Sequence, residues 1–63
     1  MEIDWLGATY IIRGLRKYRG YTLRKWRRMF PHIREDELKS SPTIVKIDEM
    51  LKYFEEVRNG NNN

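Results

Sequence analysis

The sequence predicts an all-α protein, a compact domain of three to four helices. Apolar residues recur at spacings of three and four in several segments, and no segment alternates with the period of two that a half-buried strand requires. Helix-capping residues stand where these segments begin. The 63 residues are expected to form one domain over residues 1–58, with a disordered polar tail at 59–63.

The first predicted helix covers about residues 5–19. Asp4 precedes it as an N-cap, and Gly20 stands where a left-handed residue would end it. Gly14 lies inside this helix, at a cost of about 1 kcal/mol relative to alanine, and would permit close packing there. The interpretation is a helix with one apolar arc and a basic arc opposite it.

A second helix is predicted at about residues 23–30, with Thr22 as its N-cap and Pro31 as its stop. It would pack against the first helix as a hairpin about Gly20 and Tyr21. Such a hairpin would join the basic arcs of the two helices into one patch.

The rest of the chain predicts a short helix and a longer one. Residues 32–39 offer only Ile33 and Leu38 as apolar anchors. Ser41 and Pro42 then form an N-cap and N1 pair. The apolar positions that follow show the clearest helical spacing in the chain: Ile44, Ile47, Met50, Leu51, Phe54 and Val57.

No single helix can bury its own apolar arc, so we expect the helices to share one core. The predicted core residues are Trp5, Ile12, Leu15, Leu23, Trp26, Phe30, Ile44, Ile47, Leu51 and Phe54.

Charge is distributed unevenly along the chain, which has a net charge of +4. Residues 5–34 contain nine basic residues and no acidic one, whereas residues 35–63 contain seven acidic and four basic residues. This asymmetry favours one interacting face over a generally adhesive surface.

Catalytic, metal and cofactor functions have little support in the composition. There is no cysteine and one histidine, His32, and neither a Gly-rich phosphate loop nor a nucleophile beside a base is present. The acids Glu35, Asp36 and Glu37 suit the first turn of a helix better than a cation site. We therefore expect a protein that is not an enzyme and has no cofactor or metal.

The longest apolar run, Tyr10 to Ile12, is far too short to span a membrane. The acidic residues Glu2 and Asp4 do not fit the positive start of a secretory signal. A soluble, intracellular protein of the cytoplasm, without a membrane partner, is the expectation.

Residues 13–28 carry the functional prediction, because eight of these sixteen residues are basic and none is acidic. Six of the eight are arginine, whose planar guanidinium suits phosphate and guanine contacts. Aromatic residues interleave with the charges. Tyr18 and Trp26 fall on apolar arcs and are expected in the core, whereas Tyr21 is freer to contact a ligand.

Two segments resemble parts of helix-turn-helix and winged-helix regulators, including the Lrp/AsnC type. The segment from Ser41 to Leu51 is similar to the start of a recognition helix, and the segment from Thr22 to Trp26 is similar to the opening of the helix before it. The resemblance covers about residues 22–54 and implies a helix-turn-helix-like domain, although no wing is predicted because no segment has the pattern of a strand. It implies that Ser40, Ser41, Thr43 and Lys46 face DNA while the basic helices contact phosphates.

The functional expectation is a small DNA-binding regulator or architectural factor, with duplex DNA favoured over RNA and a homodimer plausible. Its predicted nucleic-acid-binding residues are Arg13, Arg16, Lys17, Arg19, Tyr21, Arg24, Lys25, Arg27, Arg28, Ser40, Thr43 and Lys46. Three alternatives stay open. The basic face could bind an acidic surface of a larger protein complex, could lie on anionic lipid, or could be balanced by the acidic half of the chain.

Overall fold

The computed structural model describes residues 4–60 and confirms the all-α class. It contains three helices, α1 (Trp5–Met29), α2 (Glu35–Lys39) and α3 (Pro42–Arg58), and no strand within the described residues. Residues 61–63 of the predicted tail lie outside this range. Asn59 and Gly60 form a turn after α3, in which Gly60 has a φ of +73° and donates its N–H to the Val57 carbonyl.

The predicted helix starts are correct at both long helices. The Asp4 carboxylate accepts a hydrogen bond from the Gly7 N–H at 2.7 Å. The Ser41 hydroxyl accepts one from the Ile44 N–H at 3.3 Å, and Pro42 occupies the first helical position of α3. These short polar side chains satisfy backbone donors that have no partner inside the helix.

The predicted break at Gly20 is wrong, because α1 is one continuous helix of 25 residues. Gly20 has no left-handed backbone, and Thr22 is buried inside the helix instead of capping a new one. The physical reason is a stripe of buried and half-buried residues that passes the glycine without a change of phase. Its members, spaced by four and three, are Ala8, Ile12, Leu15, Arg19, Thr22 and Trp26.

Helix α3 presents a matching stripe to α1. Its buried and half-buried positions are Ile44, Ile47, Leu51, Phe54 and Arg58, spaced by three and four. This spacing averages 3.5 residues, the period at which two long helices keep one face against each other. The two helices are antiparallel, because Arg16 pairs with Glu55 while the later Arg19 pairs with the earlier Asp48.

The core lies where all three helices meet. Leu23, Leu38, Ile44 and Ile47 form it, and Leu15, Trp26, Ile33 and Leu51 pack against it. Helix α2 is the short helix expected within residues 32–39, and it contributes Leu38. Two predicted core residues are wrong, since Trp5 is 63% exposed and Phe30 is 37% exposed.

The molecule is elongated, with extents of 44 × 17 × 17 Å. Helix α1 alone is about 37 Å long at ~1.5 Å per residue, so it sets this length. Helices α2 and α3 cover one face of α1. Within residues 4–60, no helix covers the opposite face of α1.

Candidate nucleic-acid interface

All eight basic residues of the segment 13–28 lie on α1, and α1 contains no acidic residue. The predicted continuous basic patch therefore follows a single helix instead of crossing a hairpin. At 100° per residue the eight side chains divide between two regions of this helix. One region flanks the buried stripe, and the other faces away from α3.

The first region is engaged within the molecule. Arg16 donates to Glu55 at 2.9 Å and Arg19 donates to Asp48 at 2.8 Å, both across to α3. Arg27 pairs with Glu35 at the start of α2. Three of the eight cations thus pair with carboxylates of residues 35–63, as the alternative of charge balance within the chain predicts.

The second region consists of the other five cations, Arg13, Lys17, Arg24, Lys25 and Arg28. All five are exposed, and within residues 4–60 none of them forms an ion pair. We call the surface that they share with Leu6, Tyr10, Gly14 and Tyr21 the outer face of α1. From the first cation to the last, the outer face extends over about 22 Å, at ~1.5 Å per residue.

An open concavity of about 400 Å³ lies near the carboxyl end of α1, lined by Arg24, Arg27 and Arg28. The Arg24 side chain folds back along the helix, so that a Cβ built on Gly20 would lie 3.2 Å from one of its guanidinium nitrogens. Several guanidinium groups around one concavity can donate to the oxygens of a phosphate or carboxylate. At this end of the outer face an anionic group would meet three guanidinium groups.

Aromatic side chains accompany these cations on α1. Tyr10, Tyr18 and Tyr21 are 63%, 54% and 55% exposed. Tyr18 was expected in the core, and that expectation is wrong, because its position falls beyond the edge of the buried stripe. Trp26 is half-buried against the core, as expected.

The predicted contact residues outside α1 lie apart from the outer face. Ser40 ends α2, where its hydroxyl donates to the Glu37 carbonyl at 2.9 Å. Thr43 is exposed in the first turn of α3. The Nζ of Lys46 lies 3.9 Å from the Oε2 of Glu49 on the same helix. Because the outer face points away from α3, the structure does not join these residues to the α1 cations in one surface.

The resemblance to helix-turn-helix regulators took its two segments as the starts of two consecutive helices, and the structure arranges these segments differently. The segment similar to the helix before a recognition helix lies in the second half of α1, not in a helix of its own. Helix α2 lies between it and α3, and Ser40 and Ser41 alone separate α2 from α3. The role of α3 as a recognition helix stays a prediction.

The described acidic residues and His32 do not form a metal centre. No group of three or more potential metal ligands occurs within residues 4–60. Near α2, Glu35 pairs with Arg27 and Lys39. The Nε of Arg34 lies 3.1 Å from the Oε1 of Glu37. These acids therefore act as ion-pair partners around a short helix.

Comparison of the chain with protein-family models, with curated proteins and with solved structures gives no match. Within residues 4–60, no helix has the long apolar run that crossing a bilayer requires.

Sequence reasoning missed Tyr10 and Gly14 as members of the outer face. Their signal is the helical period, since positions 6, 10, 14, 17, 21, 24 and 28 are spaced by three and four along one side of α1. The supposed break at Gly20 hid this pattern, because it divided the stripe between two helices.

Proposed function

We propose that the protein binds nucleic acid through the outer face of α1, with a regulatory or architectural role. The observation that carries the proposal is the set of five exposed cations, without ion pairs in the described chain, on one face of a helix that has no acidic residue. Nucleic acids present closely spaced phosphates, and each neutralised phosphate releases counterions. A rigid helix holds the cations at fixed spacing, which lowers the entropy lost on binding.

The mechanism is a phosphate grip. Each of the five outer-face cations contacts a phosphate, and the concavity lined by Arg24, Arg27 and Arg28 receives one of these phosphates. Contacts to phosphates position a protein on nucleic acid without reading its sequence. Binding that depends weakly on sequence suits an architectural role, and any base readout would come from neighbouring side chains such as Tyr21.

The proposal predicts a steep salt dependence. Five phosphate contacts to duplex DNA give a slope of about −4 to −5 in log K against log salt, or a loss of several hundredfold, roughly, between ~50 and ~200 mM salt. Fluorescence anisotropy of a labelled duplex across a salt series measures this slope. Absence of binding at the lowest salt would contradict the proposal and favour the acidic surface of a protein complex as the partner.

Two double variants locate the contact surface with the same change of charge. Arg24→Gln/Arg28→Gln removes two outer-face cations that have no ion pair in the described chain, and Lys46→Gln/Lys52→Gln removes two cations from α3. We expect the first to lower duplex affinity at least tenfold and to reduce the salt slope by about 2. The second should change affinity less than about threefold. The reverse order of effects would place the contact on α3, as the regulator resemblance implies.

A further inference from the structure

Gly14 occupies the outer face near the middle of α1, where nothing in the packing of the described chain requires a glycine. It is exposed, and a Cβ built on it would meet no atom within 4 Å. The close packing expected at this glycine is therefore absent from the described chain. Glycine is the least favourable helix residue after proline, so the residue that leaves this helix surface bare is unfavourable for the helix itself.

Exposed aromatic residues surround this bare surface. Tyr10 lies one turn before Gly14 and Tyr18 one turn after it, and Tyr21 lies two turns after it on the same side. Positions three or four residues apart on a helix are neighbours, with Cβ atoms about 5–6 Å apart. Lys17, three residues after Gly14 and four before Tyr21, places a cation on the same side of the helix. We call this group of five residues the Gly14 notch.

We propose that the Gly14 notch binds unpaired bases of a single-stranded nucleic acid segment. This inference depends on the proposed function and adds the class of nucleic acid. The aromatic rings offer flat faces on which bases stack, and the missing side chain at position 14 lets a base approach the helix backbone. Lys17 and the neighbouring Arg13 then contact the flanking phosphates.

Charge complementarity selects this ligand over a second copy of the chain. A symmetric pairing of two notches would bring Arg13 and Lys17 of one copy near the same residues of the other. Like charges placed together across an interface oppose association. A duplex fits the notch less well, because its bases are stacked on each other and do not offer their faces to tyrosine.

The notch predicts opposite effects of one substitution on folding and on binding. Gly14→Gln adds a side chain whose Cβ meets no other residue of the described chain, and it improves helix propensity, so the variant should melt at or above the temperature of the parent. The added side chain fills the notch. We expect its affinity for single-stranded DNA to fall about tenfold or more, the loss of roughly one stacked base.

The measurement is anisotropy with a labelled oligothymidine of about 15 nucleotides, within the range of known single-strand site sizes, and with a labelled duplex at the same salt. Affinity for the duplex should fall by much less than affinity for oligothymidine, because the cations that contact phosphates remain. Tyr18→Ser should repeat the selective loss, and Tyr53→Ser, which removes an equally exposed tyrosine from α3, should not. These serine variants test the notch even if Gly14→Gln fails to fold.

The possible outcomes separate the two proposals. If the parent binds both probes and neither Gly14→Gln nor Tyr18→Ser weakens oligothymidine binding selectively, the notch inference is wrong and the phosphate grip stands. Equal losses for both probes would also overturn it, because they would show a contact without base stacking. If the parent binds neither probe at low salt, the proposed function fails and the notch inference fails with it.

Discussion

Leu38 and Trp5 show that the size of an apolar side chain does not decide whether it is buried. Trp5 is the larger side chain and was expected in the core, but it lies at the start of α1 and is mostly exposed. Leu38, on a helix of only five residues, is 6% exposed and belongs to the core cluster. Position in the packed molecule decides between them, because α2 lies against α1 and α3 at the point where these two helices meet.

Leu38→Ala should therefore cost much more stability than Trp5→Ala. Removing a buried leucine side chain costs about 2–5 kcal/mol, whereas an exposed residue away from the core costs about 0.5 kcal/mol or less. Urea unfolding followed by circular dichroism measures both values. A larger loss for Trp5→Ala would show that Trp5 packs against the molecule in solution.

The ion pairs of Arg16 and Arg19 distinguish these two cations from the five that form no ion pair within residues 4–60. The Arg19 side chain is 29% exposed and lies in the buried stripe, and it reaches the Asp48 carboxylate on α3. Arg16 is more exposed and pairs with Glu55. Pairs of this kind contribute about 0–1 kcal/mol each, so their main consequence is to hold two arginines on the α3 side of α1.

Helix α1 is the element on which the candidate function depends, and its continuity through Gly20 creates the outer face. A glycine costs about 1 kcal/mol in a helix interior, which is a small penalty beside the burial of Thr22, Leu23 and Trp26 on the face shared with Leu15. A break at residue 20 would also leave backbone groups at two helix ends without partners. Tertiary packing therefore outweighs the local signal.

Gly20→Ala distinguishes a continuous helix from a hairpin by the sign of its effect. In the continuous helix the new Cβ meets only the far end of the flexible Arg24 side chain, at 3.2 Å, which can move aside. We expect alanine to stabilise the protein by about 0.5–1 kcal/mol. The free energy of unfolding from urea titration gives the answer, and a destabilisation of about 1 kcal/mol or more would indicate a left-handed glycine at this position.

At the scale of the whole molecule, the positive charges of residues 13–28 and the negative charges lie on different helices. Helix α1 carries the eight cations of residues 13–28, and the acidic residues of the described chain after Asp4 lie on α2 and α3. The elongated shape presents the cations as a line along one side. A linear polyanion matches this geometry better than a small ligand does.

The homodimer expected from the sequence is a separate property of the whole molecule. Trp5 and Leu6 are each more than half exposed near the amino end of α1, and they offer apolar surface outside the Gly14 notch to a second copy. If the dimer forms, the melting temperature should rise with protein concentration, because association stabilises the folded state by mass action. A melting temperature that does not change with concentration, together with a mass of 7.7 kDa at sedimentation equilibrium, would contradict it.

Local sequence signals were sufficient for the features that depend on neighbouring residues. The helical class, the caps at Asp4 and Ser41, the end of α1 before Pro31 and the buried stripe of α3 follow from residues within a few positions of one another. The concentration of positive charge in residues 13–28 is likewise a property of the chain itself. These features were therefore predictable.

Only the tertiary structure decided which parts of that charge face outward. The carboxylates that engage Arg16 and Arg19 lie 39 and 29 residues further along the chain, so no local pattern identifies them. The continuity of α1 through Gly20 and the exposure of Tyr18 likewise depend on how α3 packs against α1. The sequence determined that the molecule is helical and carries a basic segment. Packing determined the helix face on which five of these cations have no ion pair within residues 4–60, because burial against α3 outweighs a local preference of about 1 kcal/mol.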